Sequence, residues 1–167
     1  AVHTPIQPRR DLAQKYKQKI TPGHHHRNAQ YAAMIESVDR SVGRVVSTLE
    51  GLGLTRKTVI IFTSDNGGLI HGRDGPTGNQ PLRAGKGSAY EGGVRVPAIV
   101  SWPGHVPAGA KSSEPMITCD LYPTVLEITG APGDANHNAR VDGVSLVPVL
   151  TRGRRRLKRS DLFWHYP

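Results

Sequence analysis

Apolar residues recur at intervals of three and four positions over residues 31–49, which is the spacing of one face of an α-helix. Asn28 precedes this stripe and can cap the helix N-terminus, whereas Gly51 and Gly53 follow it and favour termination. The pattern predicts one amphipathic helix of about five turns. The stripe consists of Tyr31, Ile35, Val38, Val42, Val45 and Leu49.

The pattern changes at residues 59–63, where an unbroken run combines apolar, β-branched and aromatic residues. Such a run is typical of a strand buried on both faces of a parallel sheet. We expect the preceding helix to lie against this strand, because a helix followed by a buried strand is half of a βαβ unit. Residues 96–102 predict a second strand. The predicted fold class is α/β, with a mostly parallel sheet covered by helices.

The remaining segments are shorter or irregular. Residues 67–93 contain nine glycines and show neither helical nor strand periodicity, which predicts a long loop of the kind that is usually functional or disordered. We further predict helices at residues 11–19 and 114–130, an apolar segment at 144–150, and a strand near the end, at 161–167.

Candidate chemistry begins where the first strand ends. Asp65 and Asn66 follow the strand directly, and ligands of open α/β sheets bind beyond the carboxyl ends of strands. A carboxylate beside a carboxamide suits a hard divalent cation, although the same residues could form a simple turn. Lys86, flanked by Gly85 and Gly87, resembles an anion-cradling loop only loosely.

The chain has 167 residues, and its 22 Lys and Arg against 13 Asp and Glu give a net charge of +9. A basic surface attracts polyanions, and part of the excess lies in a run at residues 152–159, which we interpret as a solvated linker. Cys119 is the only cysteine, which excludes an intrachain disulfide, and we interpret it as a small buried thiol. The consecutive histidines 24–26 are interpreted as a solvated loop. No apolar run approaches the ~20 residues of a membrane span.

Six phrases, in order, resemble the sulfatase family of the alkaline-phosphatase-like superfamily. They are HTPIQ, YAAMIESVDRSVGRVVSTLEGLGL, TVIIFTSDNGG, PLRAGKGSAYEGGVRVPAIVSWPG, TCDLYPTVLEITG and DGVSLVPVL. They extend from His3 to about Leu150, and LFWHYP fits the start of the family's small C-terminal subdomain. The resemblance implies that residues 1–150 are the C-terminal part of a sulfatase catalytic domain and that residues 151–167 are a basic linker and the start of that subdomain.

The resemblance also implies roles for individual residues. Asp65 and Asn66 match a calcium-binding pair, Lys86 matches a lysine that contacts the sulfate and ester oxygens, and His3 matches a histidine that hydrogen-bonds the sulfate and helps protonate the departing alcohol. Calcium would act as a Lewis acid on the sulfate oxygens.

Other parts of the family's site have no match in this sequence. The Cys/Ser-x-Pro-x-Arg motif that yields the formylglycine nucleophile is missing, as are an N-terminal aspartate pair and a Lys-x-His segment. We therefore expect an internal piece of a larger protein, inactive by itself, with formylglycine expected only in an upstream segment.

The expected function is that of a sulfuric ester hydrolase, or a fragment of one, acting on a sulfated small molecule or a sulfated polysaccharide. Two alternatives stay open: a phosphodiesterase or phosphonate hydrolase of the same superfamily, and a non-catalytic polyanion-binding module. We also expect the basic surface to help gather polyanionic substrate, so that binding of a sulfated polymer weakens steeply with salt and the contribution of the basic run is tested by replacing Arg154, Arg155 and Arg156 with serine. We expect no nucleic-acid partner, because aromatics are scarce and no nucleic-acid-binding fold is recognisable. The resemblance favours a periplasmic or secreted location, and it leaves the ester and the oligomeric state open.

Overall fold

The computed structural model describes residues 2–70, 76–152 and 156–165. Arg154 and Arg155, which belong to the predicted polyanion-binding run, lie outside the described residues. The chain divides into two compact units. The first comprises Ala1–Thr58 and Phe62–Ala98, and the second comprises Val59–Ile61 and Ile99–His165.

Two helices dominate the first unit. Helix α1 spans Arg10–Lys19 and helix α2 spans Ala29–Gly51. The predicted cap of α2 is confirmed, because Asn28 Oδ1 accepts a hydrogen bond of 2.9 Å from the backbone N–H of Tyr31. A three-residue 3-10 turn, Thr55–Lys57, follows α2.

Helix α2 packs mainly on α1 rather than on a strand. Leu12 of α1 and Ala33 of α2 are buried, with Ala33 fully inaccessible. On the predicted apolar stripe, by contrast, Ile35 is 48% exposed and Val45 is 56% exposed. The prediction of a helix laid against the strand is therefore wrong for the described residues, because α2 packs on α1 and the residues that it buries are Ala29 and Ala33 rather than those of the stripe.

A charged cluster links α1 to α2. Glu36 accepts hydrogen bonds from Lys15 Nζ at 2.7 Å and from Arg40 Nη2 at 2.6 Å. These donors stabilise the ionised carboxylate, and the hydrogen bond from Lys15 is the main reason that the pKa of Glu36 falls to about 2.

The sheet is small. Strand β1 spans Ile60–Thr63, strand β2 spans Ala98–Ser101, and the two are hydrogen-bonded neighbours. Phe62 on β1 is 41% exposed and Ile99 on β2 is 62% exposed. The prediction of a strand buried on both faces is wrong within the described part of the chain, because a two-stranded sheet has few neighbours to cover its faces.

Between the strands runs the predicted glycine-rich loop, which closes with the one-turn helix α3, Glu91–Val94. In the second unit, a 3-10 turn at Thr118–Asp120 leads into α4, Leu121–Thr129. The shorter helices α5, Ala135–Asn138, and α6, Val147–Arg152, follow.

The predicted helix at residues 114–130 begins seven residues late. Asp120 Oδ2 accepts a hydrogen bond of 2.9 Å from the backbone N–H of Ile117, and this local turn replaces the first helical turns. Pro123 then lies in the first turn of α4, where a missing N–H costs little. The predicted end is confirmed, because Gly130 adopts a left-handed conformation with φ of 69°.

Asp120 is fully buried and joins three segments of the second unit. Its Oδ1 accepts hydrogen bonds from Val144 N at 2.9 Å and from Arg159 Nη1 at 2.6 Å. Leu157 is also buried, and its N–H donates to Glu114 Oε1 at 2.7 Å. The solvated-linker interpretation is therefore wrong for Leu157 and Arg159, which are held against the unit.

The predicted strand near the end is likewise absent from the described residues 161–165, and Phe163 there is 84% exposed. None of the helices that the structure describes has the length and hydrophobicity needed to cross a bilayer.

Candidate active site

The two predicted catalytic residues, His3 and Lys86, lie in direct contact. His3 Nε2 is 2.8 Å from Lys86 Nζ, although 83 positions separate the residues in sequence. His3 Nδ1 is 2.7 Å from the backbone carbonyl oxygen of Thr4. Because a carbonyl can only accept and an ammonium can only donate, the proton of a neutral imidazole belongs on Nδ1 and the lone pair belongs on Nε2. Thr4 thus orients His3 so that Nε2 faces the lysine.

Lys86 is held at this position by the backbone of its own loop. Its N–H donates to the carbonyl oxygen of Gly68 at 3.1 Å, just beyond the end of β1. Asn79 reinforces the same junction, since its Oδ1 accepts from Gly68 N at 3.0 Å and its Nδ2 donates to Gly68 O at 2.9 Å. The same Nδ2 also donates to the carbonyl oxygen of Ala84, at 3.1 Å. The Asn79 side chain thus makes the pair of hydrogen bonds with Gly68 that the backbone of a neighbouring strand would otherwise make.

Sequence reasoning missed Asn79 as a positioning residue. The only sequence signal was its location within a glycine-rich loop, and that signal does not distinguish a half-buried amide that joins two loop segments from an ordinary turn residue.

The junction also depends on a close approach of two backbones. Gly67 N donates to the carbonyl oxygen of Gly93 at 2.8 Å. A Cβ placed on Gly67 would lie 1.8 Å from the carbonyl oxygen of Gly92, which is far inside van der Waals contact. Both Gly92 and Gly93 are buried. Gly67 is therefore required so that the turn after β1 can pack against the start of α3, whereas a Cβ on Gly92 would meet the carbonyl oxygen of Ala84 at 2.1 Å.

The predicted metal ligands, Asp65 and Asn66, occupy the turn directly after β1. Asn66 Nδ2 donates to Asp65 Oδ1 at 3.1 Å, and Ser64 Oγ donates to the carbonyl oxygen of Asn66 at 2.9 Å. Asp65 is exposed and Asn66 is half-buried. Within the described residues no group of three or more His, Cys, Asp and Glu side chains is placed to hold a metal ion.

The donor chemistry of this pair fits part of a calcium site. One carboxylate and one carboxamide are oxygen donors of the kind that calcium prefers, and they supply two of the ~6–8 ligands that it takes. Asp65 and Asn66 lie beyond the strand end, three and two residues before Gly68. The carbonyl oxygen of Gly68 accepts the hydrogen bond from the Lys86 N–H, so the pair lies on the same turn as the residue that anchors Lys86.

Cys119 takes no part in this arrangement. It lies in the 3-10 turn before α4 and is exposed, so the prediction of a buried thiol is wrong. Partial desolvation, followed by the neighbouring Asp120 carboxylate, raises the pKa of the thiol, which disfavours a reactive thiolate. The histidines at 24–26 are exposed, as predicted.

A lysine ammonium beside an oriented imidazole, next to a turn that offers oxygen ligands, is suited to a negatively charged ester: the cation binds the oxyanion and the imidazole exchanges a proton. The sulfatase family profile matches residues 1–131, and the chain belongs to the sulfatase family.

Individual relatives agree with this assignment. A sulfatase of Formosa agariphila is 42% identical over 177 aligned positions, which cover all of this chain and 31% of that protein. The crystal structure of Ps i-CgsB in complex with k-i-k-neocarrahexaose superimposes with a TM-score of 0.76 at 38% identity and covers 88% of this chain and 31% of that one. The PsFucS1 sulfatase from Pseudoalteromonas sp. superimposes with a TM-score of 0.68 at 33% identity and covers 86% of this chain and 28% of that one.

The chain spans about a third of the length of these relatives. The structural neighbours are sulfatases, which have the alkaline-phosphatase-like fold, and the described residues form a partial domain of it with a two-stranded sheet and helices. Roles in metal binding and catalysis, and the boundary predicted at residue 150, stay predictions.

Proposed function

We propose that this chain is the C-terminal part of the catalytic domain of a sulfuric ester hydrolase, and that His3 and Lys86 bind and process the sulfate group. The observation that supports this most directly is the 2.8 Å contact between His3 Nε2 and Lys86 Nζ. The relatives reported above favour a sulfate ester over a phosphodiester or phosphonate substrate, because they include proteins named as sulfatases.

Lys86 supplies charge for binding. Its ammonium donates N–H groups only, so a sulfate oxygen can replace His3 Nε2 as the acceptor without any change in the protonation of the lysine. The half-buried side chain and the anchored backbone of Lys86 keep the ammonium in place, so little reorganisation accompanies binding.

His3 is the proposed proton donor to the leaving group. In the unliganded contact Nε2 accepts from Lys86, so it has no proton to donate. When the sulfate monoester takes the lysine as its partner, Nε2 is released and takes up a proton from solvent, because the negative charge of the sulfate stabilises the protonated ring. Cleavage of the S–O bond then transfers the Nε2 proton to the leaving alkoxide, while Nδ1–H stays on the Thr4 carbonyl. A formylglycine in an upstream segment would supply the nucleophile that accepts the sulfuryl group.

Asp65 and Asn66 would hold calcium from the turn after β1, together with ligands from the rest of the larger protein. When bound, the ion would polarise the sulfate oxygens as a Lewis acid. Because the nucleophile and further ligands are assigned to upstream residues, the 167-residue chain by itself is proposed to be inactive.

The test uses the longer protein and two sulfate monoesters, one of an acidic phenol and one of a simple alcohol. His3→Gln should lower kcat for the alkyl sulfate by about 10²–10⁴-fold but affect the aryl sulfate much less, because an acidic phenol leaves without a proton donor. Lys86→Ala should lower kcat/KM for both esters. Lys57→Ala, an exposed lysine in the 3-10 turn that follows α2, is the matched control.

If His3→Gln lowered kcat equally for both esters, His3 would not be the proton donor to the leaving group. Wild-type turnover in Lys86→Ala would overturn the site assignment. Turnover of either ester by the 167-residue chain, lost in Lys86→Ala, would overturn the proposed inactivity.

A further inference from the structure

An open groove of about 910 Å³ lies within the first unit and begins at Thr4, the residue that follows His3. One wall is the segment that follows His3, namely Thr4, Pro5 and Ile6. The other walls come from the last turn of α1 and the residues around the start of α2. Thr4 belongs to both places, because it lines the groove and its carbonyl oxygen binds His3 Nδ1 at 2.7 Å. Thr4 thus connects the groove to the candidate site.

The lining of the groove is cationic. Lys17 and Arg27 both contribute to it, and no Asp or Glu is present among the lining residues that the structure describes. Neither cation forms an ion pair with a carboxylate in the described part of the chain. This distinguishes Lys17 from Lys15, a neighbour on α1 whose charge is neutralised by Glu36 at 2.7 Å.

The rest of the lining is mixed in character. Gln30 adds a side chain that can both donate and accept hydrogen bonds, while Pro5, Ile6 and Ile20 supply apolar surface. A volume of this size lies within the range of small-molecule sites, and apolar walls with a few polar groups are typical of them. Sugar rings present both hydroxyl groups and apolar C–H faces, so such walls suit a saccharide better than a simple inorganic anion.

We propose that this groove is a subsite for a second anionic group, a sulfate or a carboxylate, on a saccharide whose reacting sulfate lies at His3 and Lys86. The inference rests on the proposed function and narrows its substrate class from any sulfate ester to a saccharide with at least two negative charges. Lys17 and Arg27 are the residues that select it, and they act on affinity rather than on the chemical step.

The test compares two disaccharides with the same skeleton, one singly and one doubly sulfated, in calorimetric titrations of the 167-residue chain at low salt. The wild-type chain should bind the doubly sulfated sugar about three- to tenfold more tightly, the effect expected of two surface ion pairs. The double variant Lys17→Met and Arg27→Met should abolish this preference. The matched control, Arg56→Met with Lys57→Met, removes the same charge from the 3-10 turn that follows the far end of α2, and it should retain the preference.

Lys86→Ala separates the subsite from the proposed function. It should weaken binding of both sugars while the preference for two sulfates persists. If Lys86→Ala leaves the affinity for both sugars unchanged, the proposed sulfate position at His3 and Lys86 is wrong. The subsite is tested separately, by the preference for the doubly sulfated sugar. A preference that survives removal of Lys17 and Arg27, or that is lost equally in the control, overturns the subsite. Equal affinity of the wild-type chain for both sugars, or no measurable binding of the doubly sulfated one, also overturns it.

Discussion

Replacing Gly67 by alanine tests whether the close approach of two backbones builds the candidate site. The added Cβ would lie 1.8 Å from the carbonyl oxygen of Gly92 and 2.8 Å from its carbonyl carbon, and neither backbone atom can rotate away. To restore a tolerable contact of 3.0 Å, the turn after β1 and the start of α3 must separate by roughly 1.2 Å. That separation would stretch the 2.8 Å hydrogen bond from Gly67 N to Gly93 O beyond hydrogen-bonding distance.

The magnitude follows from two contributions. Overpacking costs about 1–3 kcal/mol, and a buried backbone donor and acceptor left without partners cost about 1–3 kcal/mol more. We therefore expect Gly67→Ala to lower the free energy of unfolding by about 2–6 kcal/mol. In the longer protein, a displacement of this size next to the Gly68 carbonyl that anchors Lys86 should also lower kcat/KM by up to about 10²-fold.

Urea denaturation of the 167-residue chain, followed by circular dichroism, measures the stability change. Gly78→Ala is the matched control in the same loop, because its added Cβ would meet only His26 Cε1, at an ordinary 3.6 Å. It should change the free energy of unfolding by less than about 0.5 kcal/mol. Equal denaturation midpoints for Gly67→Ala and Gly78→Ala would refute the close approach and, with it, the stated role of the glycines.

Three further substitutions have outcomes that follow from single contacts, each measured by urea denaturation. Asp120→Ala should lower the free energy of unfolding by about 3–5 kcal/mol, because it leaves Arg159 as an unpaired, largely buried charge; a change below 1 kcal/mol would contradict that pairing. Gly43→Ala, in α2 with open space around the new Cβ, should raise stability by about 0.5–1 kcal/mol, and destabilisation would mean that this face is covered. The pKa of Glu36 lies near 2 in the folded chain, below its usual 4.5, so the contribution of Glu36 to the free energy of unfolding is complete above about pH 4.5 and is lost as the pH falls towards 2. Glu36→Gln should flatten this loss of stability at acid pH. An unchanged pH dependence would refute the charged cluster of Lys15, Glu36 and Arg40.

The elements that could be predicted from sequence are those with local signals at both ends. Helix α2 was predicted correctly in extent because Asn28 caps it and Gly53 adopts a positive φ of 66° after it. Its packing was not predictable, because apolar periodicity identifies a face but not the element that covers it. The start of α4 was misplaced because the Asp120 side chain supports a local turn instead of helix, and that competition depends on its distant partners Val144 and Arg159.

The candidate site likewise contains residues that could be predicted from the sequence and residues that could not. Asp65 and Asn66 could be singled out from residues alone, because they follow a recognisable strand. The association of His3 with Lys86 could not, since no pattern in the chain relates positions 83 apart; only the resemblance to a family paired them. Neither the residue pattern nor the resemblance identified Asn79. Its side chain makes hydrogen bonds that a backbone would otherwise make, in a loop that has no periodicity.

The arrangement around Asp120 affects how freely this part of the chain can vary in length during evolution. The carboxylate receives its donors from Ile117, Val144 and Arg159, and the connections between them run over the exposed residues 130–140 and past α6. Because loop closure depends only weakly on loop length, residues could be inserted or deleted in 130–140 without moving any donor away from the carboxylate. Related proteins should therefore differ in length there while retaining an acidic residue at the start of α4.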